Sequence, residues 1–220
     1  MKFGKSIVTD GLVLHIDAAN KNSYPGSGTA INDLSGNSII GTLTNGPAFN
    51  NGNAGHIAFD GANDKIQLGY QSTMNNLDIT QEAWVYADTL SNWNGIITNM
   101  PSWGTGFSLQ IGTRQRIAAM VSGGYLMTQW APQAGIWYHI SATHRSSDNH
   151  NVLYVNGVQE NTAARSISYN GNAVTTIGAF YSGGSLPFSG KISIVRTYNR
   201  ALTADEILQN FNAAKARFGL

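Results

Sequence analysis

Asp60 and Asp64 stand four residues apart in the segment IAFDGANDKIQLG, residues 57–69. Loops of this type can hold calcium, which takes about six to eight oxygens from carboxylates, side-chain amides and backbone carbonyls. A second loop, NDLSGN, offers Asp33 and Asn37 around the permissive Gly36. Asp33, Asn37, Asp60 and Asp64 are therefore the candidate calcium ligands, and calcium is the better-supported of the metals the sequence suggests. The competing reading is local: Asp and Asn side chains bond the backbone of their own turns, and Gly61 supplies an unusual dihedral. On that reading, DGAND is a tight corner between two strands.

Hydrolytic chemistry finds little support. Glycoside hydrolysis needs two carboxylates across one cleft, about 5 Å apart for retention and farther for inversion. Glu82 stands alone on its strand pattern, Glu160 follows a hairpin turn, and Glu206 reads as a helix cap. No Gly-x-Ser-x-Gly elbow precedes a helix. The five histidines show no triad logic; His139 and His144 are five apart on a strand pattern and point to opposite faces. Zinc between His144 and His150 is conceivable, a polar hairpin the plainer alternative. The sequence assigns no catalytic residue, and a non-enzyme is expected.

Aromatics near turns offer another chemistry. Trp93, Trp103, Tyr125, Trp130 and Tyr181 lie among Gly, Asn and Ser. Such side chains serve as glycan platforms, as anchors in protein contacts or as local packing. Trp84 and Trp137 fall within strand patterns and read as core.

The elements that must position these residues are mostly short strands. Apolar alternation or β-rich composition marks 11–18, 56–60, 65–69, 78–87, 94–100, 106–112, 115–121, 135–145, 150–157, 172–179 and 190–198. In 11–18, Leu12, Leu14 and Ile16 are expected on one face. In 78–87 both faces are partly apolar, so the buried one is ambiguous. Residues 19–55 are dense in Gly, Asn, Ser and Pro, predicting ordered loops with brief strand pieces. Asn156-Gly157 marks a hairpin. One helix is expected at the end: Thr203 and Glu206 have capping-box spacing, and Ile207, Leu208 and Phe211 form an apolar stripe. Many short strands with Gly/Asn turns make an all-β sandwich or barrel.

The formal charge is +1 over 220 residues, with 11% charged and no cysteine. No basic stripe interleaved with aromatics suits nucleic acid. Thr9, Asp10, His15 and Asp17 interrupt the opening segment, so neither a signal peptide nor a membrane span is expected.

In order, GLVLHIDAAN, DLSGN, GTLTNGPAF, IAFDGAND, WYHISATH, LYVNGV and GKISIVRTYNRALTADEI resemble the laminin-G-like, concanavalin-A-like jelly-roll superfamily over roughly residues 10–210. The resemblance implies a two-sheet antiparallel jelly-roll sandwich over 11–200, flanked by an arm or edge strand at 1–10 and a short C-terminal helix and tail at 201–220. Many relatives bind calcium, but where they often carry an acidic pair in the last strand this chain has Ser193-Ile194, with Lys191 nearby. The opening KSIVTDGLVLHIDAANKNSYPGSG and closing NFNAAKARFGL are similar to structural proteins of large tailed bacteriophages. That likeness implies a multimeric virion-surface protein decorating a capsid or tail. Its partners would be other virion proteins, with a host surface glycan as the alternative. Lys2, Phe3, Lys5, Phe211 and Phe218 are then the expected assembly contacts.

Overall fold

The computed structural model describes residues 6–52, 54–100, 104–169, 171–180 and 185–220. Among them the strands run β1 (Leu12–Asp17), β2 (Ala30–Asn32), β3 (Ile40–Thr44), β4 (Ala48–Asn50), β5 (His56–Asp60), β6 (Lys65–Tyr70), β7 (Ile79–Ala87) and β8 (Asn94–Asn99). They continue as β9 (Phe107–Ile111), β10 (Ile117–Val121), β11 (Gly124–Met127), β12 (Trp137–Arg145), β13 (His150–Val155), β14 (Val158–Ala164), β15 (Val174–Ile177) and β16 (Ser189–Tyr198). One helix, α1 (Ala204–Ala214), is followed by a 3-10 turn over Lys215–Phe218.

The strands form two eight-stranded antiparallel sheets. The first has the order β14-β13-β12-β7-β16-β5-β4, with β1 also on β16; the second is β11-β10-β9-β8-β15-β6-β3-β2. The expected sandwich is present. Its core takes one face of each sheet: Ala83 and Val85 of β7, Ile140 and Ala142 of β12, and Phe107, Leu109 and Ile111 of β9 pack in one cluster.

Two local expectations change and one open alternative narrows. A bulge in β1 shifts register between Leu12 and Leu14, and a one-residue shift exchanges faces. Leu14 and Ile16 thus enter the sandwich core, whereas Leu12 packs outside it against Val8, Tyr198, Leu202 and Ile207. Residues 6–9 form no strand; Val8 N–H donates to Asn210 Oδ1 at 2.8 Å, so this part of the arm is held to α1. On α1, Leu208 is exposed and Asn210 is buried. The capping box is present: Glu206 N–H donates to Thr203 Oγ1 and Thr203 N–H to Glu206 Oε2. Arg200 clamps the Glu206 carboxylate at 2.7 and 2.9 Å.

Both faces of the first sheet are therefore covered in part, one by the second sheet and one by the C-terminal segment. His15, on the segment-covered face opposite Arg196, carries the energetic mark of this. Burial lowers its imidazole pKa from 6.5 to about 4; Arg196 pushes the same way, and Asp17, Glu82 and Asp33 oppose it. The unfolded chain thus binds this proton first, so acidification favours unfolding. Stability should fall by up to about 3 kcal/mol as pH drops from about 6.5 to about 4. Urea titrations of the wild type and His15→Gln across that window check this; equal slopes in both would refute it.

Candidate functional site

On the outer face of the first sheet, adjacent strands align side chains in cross-strand rows. Ser141, Glu82, Arg196 and His15 form one row across β12, β7, β16 and β1. His139, Trp84, Ile194 and Asp17 form the next. The last row is Trp137, Tyr86 and Lys191.

The first row is polar and sealed. Arg196 Nη1 lies 2.5 Å from Glu82 Oε1, with both side chains almost wholly buried. Asn210 of α1 donates to Glu82 Oε2 at 3.0 Å and to the Tyr198 hydroxyl at 2.9 Å. Burial alone would raise the Glu82 carboxyl, but Arg196 and His139 outweigh it and hold the pKa below the ordinary range. In the second row Trp84 is sealed as well, stacked on Phe218 at 4.0 Å and on Phe211 at 5.7 Å.

The third row lies where this cover ends. Trp137 and Tyr86 are half-buried, their ring centres 5.6 Å apart and tilted by 59°. Lys191 Nζ sits 3.8 Å from the Tyr86 ring centre and 3.5 Å from Asp88. Phe218 closes one side, 4.9 Å from Trp137. With Arg217 and Gly219 these residues line an open depression of about 420 Å³. Chemically it offers two aromatic faces, an indole N–H, a phenol hydroxyl and an ammonium group. Trp137, expected in the core, is thus a wall of a surface cavity. The ambiguous face of β7 turns out to be buried at Glu82 and Trp84 and open at Tyr86. The aromatic residue at the start of one strand and the end of its neighbour was the available signal; only register shows that they meet.

The candidate calcium ligands form two separate turns. Asp33 Oδ1 accepts from the backbone of His15 and Ser35, and Oδ2 from Ser35 Oγ and Asn37 N–H. Asp60 Oδ1 accepts from Ala62 and Asn63 N–H, while Asp64 Oδ2 accepts from Asp60 N–H. The turns sit at opposite ends of β3, since Asp33 bonds Ile39 just before it and Asn63 bonds Asn45 just after it. DGAND is a strand corner: Asp60 is lowered by its bonds from Ala62 and neighbouring N–H groups, and Asp64 is raised by burial. At Ser193 the nearby oxygens serve a guanidinium: Arg217 reaches Asp17 Oδ2, Ala54 O, Gly55 O and Ser193 Oγ. The two loops stay separate in space, and among the described residues no three His, Cys, Asp or Glu side chains converge as metal ligands.

His144 does not meet His150 around a metal; its ring nitrogens face the carbonyls of Leu77 and Arg165. Trp93 and Tyr125 do come together, 4.9 Å apart, over the outer face of the second sheet. There Met100, Met120 and Phe180 form a small core with Tyr125. The chain after β15 lies directly on this face: a Cβ at Gly95 would meet Ala179 backbone at 2.4 Å. Trp130 is elsewhere, its indole bonded to Glu160 at 2.8 Å beside Tyr138. Trp103, Tyr181, Lys2, Phe3 and Lys5 lie outside the described residues. Phe211 and Phe218, expected as assembly contacts, both stack on Trp84 within the chain, Phe211 remaining half-buried.

A laminin-G-type model of the concanavalin A-like lectin/glucanases superfamily matches residues 60–208. The chain belongs to that superfamily. Its jelly roll resembles the fourth domain of an extracellular arabinanase from Geobacillus stearothermophilus, solved with arabinotriose. Identity is 19%, the TM-score 0.73, and coverage 90% of this chain and 97% of that one. Trypanosoma rangeli sialidase in complex with sialic acid gives 17% identity and a TM-score of 0.71, covering 98% of this chain but 36% of the sialidase. The binding domain of Paraclostridial Mosquitocidal Protein 1 gives 18% and 0.71, covering 93% and 52%. At these identities the likeness is one of concanavalin A-like fold. No curated protein matches the sequence. Among the described residues no helix is long and apolar enough to cross a membrane.

Proposed function

We propose that this jelly roll is a non-catalytic carbohydrate-binding module that holds sugar in the Trp137 depression. The observation that carries this reading is the side-by-side placement of half-buried Trp137 and Tyr86 at the mouth of an open cavity. A pyranose or furanose ring has an apolar face and a rim of hydroxyls. Aromatic rings with a polar tip match that division, and Lys191 adds donors at the rim. Among the described residues none that lines the depression is a carboxylate, whereas glycoside hydrolysis uses two across one cleft. The relative solved with arabinotriose supports the substrate class, because nearly the whole of that domain aligns with this chain.

Trp137→Ala should weaken glycan retention at least about tenfold and lower the melting temperature only by what the lost packing against Phe218 costs, leaving the sandwich folded. Glycan-array screening followed by calorimetry on the best ligand checks this. Wild-type affinity in the variant would remove the site; no retained glycan would remove the reading.

The setting we propose is a virion surface, a reading that rests on the resemblance of the opening and closing segments to tailed-phage proteins. In that setting it is carried in several copies beside other structural proteins, with host glycan as its outward partner. The internal use of Phe211 and Phe218 favours glycan attachment over decoration through the tail. Immunogold imaging of purified particles tests the setting, and particles without label would exclude it.

A further inference from the structure

We propose that the ligand is an internal run of a neutral linear polysaccharide, bound across two depressions that flank one clasp. This rests on the carbohydrate reading above and extends it from a single subsite to a track. The second depression, about 580 Å³, is lined by Lys21, Tyr24, Phe49, Asn50 and Asn51 among others. Tyr24 and Phe49 lie 5.3 Å apart with rings tilted by 58°, and Phe49 is half-buried. Around them stand an ammonium group and two side-chain amides, the donors and acceptors that sugar hydroxyls take. Both cavities fall within the range of small-ligand sites, about 300–1,000 Å³.

The separation between them is a single contact. Arg217 lines the Trp137 depression and Gly55 lines the Phe49 depression. Arg217 Nη2 donates to Gly55 O at 3.3 Å, and the same guanidinium holds Ala54 O at 2.6 Å and Asp17 Oδ2 at 2.8 Å. Position 55 has φ +63, and a Cβ there would stand 2.6 Å from Ala19 Cβ, so glycine lets the backbone pack directly against Ala19 at this point. A chain that spans both depressions crosses this one contact.

The charge balance selects the class of chain. At the first depression Arg217 is answered by Asp17 and Lys191 by Asp88, and Lys21 is the one charged residue among the described residues that line the second. A single ammonium over a track of several sugars makes no repeating match for a polyanion, which points to uncharged sugars. A monosaccharide or chain end fills one depression only. A longer segment gains the second contact without a second loss of translational freedom, so affinity should climb with length.

Calorimetry with ladders of linear arabino-oligosaccharides and cello-oligosaccharides, from disaccharide to octasaccharide, tests this. In at least one ladder affinity should rise about tenfold or more and then level off once both depressions are spanned. Phe49→Ala should take away the length dependence, lowering octasaccharide affinity to that of the disaccharide. Lys21→Ala with Asn51→Ala, at exposed positions that leave the fold intact, gives the same readout should Phe49→Ala fail to fold. Length-independent affinity, or a slope that survives both variants, would overturn the track. Tighter binding of matched uronate oligosaccharides would overturn the neutral class. Failure of the wild type to bind any glycan on an array would instead sink the carbohydrate reading beneath it.

Discussion

Replacing Arg196 with methionine should cost the fold about 3–5 kcal/mol, the range for removing one partner of a buried ion pair. Arg196 faces Glu82 at 2.5 Å, both side chains at 3% exposure or less. Without the guanidinium, the Glu82 carboxylate is left in a sealed layer with Asn210 and His139 as its remaining partners. It would then take up a proton far more readily. Glu82→Leu combined with Arg196→Met should recover part of the loss, because two apolar groups need no counter-charge. Denaturant unfolding of the single and double variants measures both effects. A loss under about 1 kcal/mol for Arg196→Met would mean that water reaches the pair. The pH dependence has a definite sign. Glu82 is held below its ordinary value in the folded chain. Its contribution is therefore complete above about 4.5 and is lost as pH falls through the lowered folded value. In Arg196→Met that acid-side loss should begin at higher pH.

Trp84→Ala should destabilise by about 3–5 kcal/mol and release the C-terminal segment. The indole is fully buried on the face away from the sandwich core, between Phe218 at 4.0 Å and Phe211 at 5.7 Å. Truncation leaves the tail rings without the surface that holds them, and the cavity lies at a joint between elements rather than inside one. The expected result is a limit digest in which protease first removes residues after Thr203, with the β-sandwich surviving. Trp84→Phe should keep the tail protected. The same release would weaken sugar binding, because Phe218 also walls the Trp137 depression. Unfolding of the whole chain in one step, with no early tail cleavage, would show instead that the segment and the sandwich form one cooperative unit.

Much of this molecule is legible in the sequence because the signals are local. Period-two alternation placed Phe107, Leu109 and Ile111 in the core, as one strand's own geometry dictates. Asn156-Gly157 gave the hairpin between β13 and β14, and both residues have positive φ, as a tight turn requires. Thr203 and Glu206 gave the helix start, since both capping partners lie within one turn. The Asp-rich loops were legible as turns for the same reason: the Asp33 and Asp60 carboxylates bond residues no more than four positions away, apart from the His15 amide.

What local signals could not determine was which surface another part of the chain would cover. Tyr125 was expected near a turn from its Gly neighbours, yet it pairs with Met120 and makes β11. Glu82 looked alone on its strand until Arg196 and Asn210, more than a hundred residues away, closed over it. Leu12 and Leu14 looked equivalent until one bulge sent them to opposite faces. Trp137 looked like core by composition; the tail covers only one side of it, through Phe218, leaving the ring at a cavity edge. Arg217 and Asp17 meet across 200 positions. Alternation says that a strand has two faces, and turn chemistry says where it ends. Whether the second face meets water, a helix or a ligand depends on long-range packing, and here that packing decided where the candidate site lies.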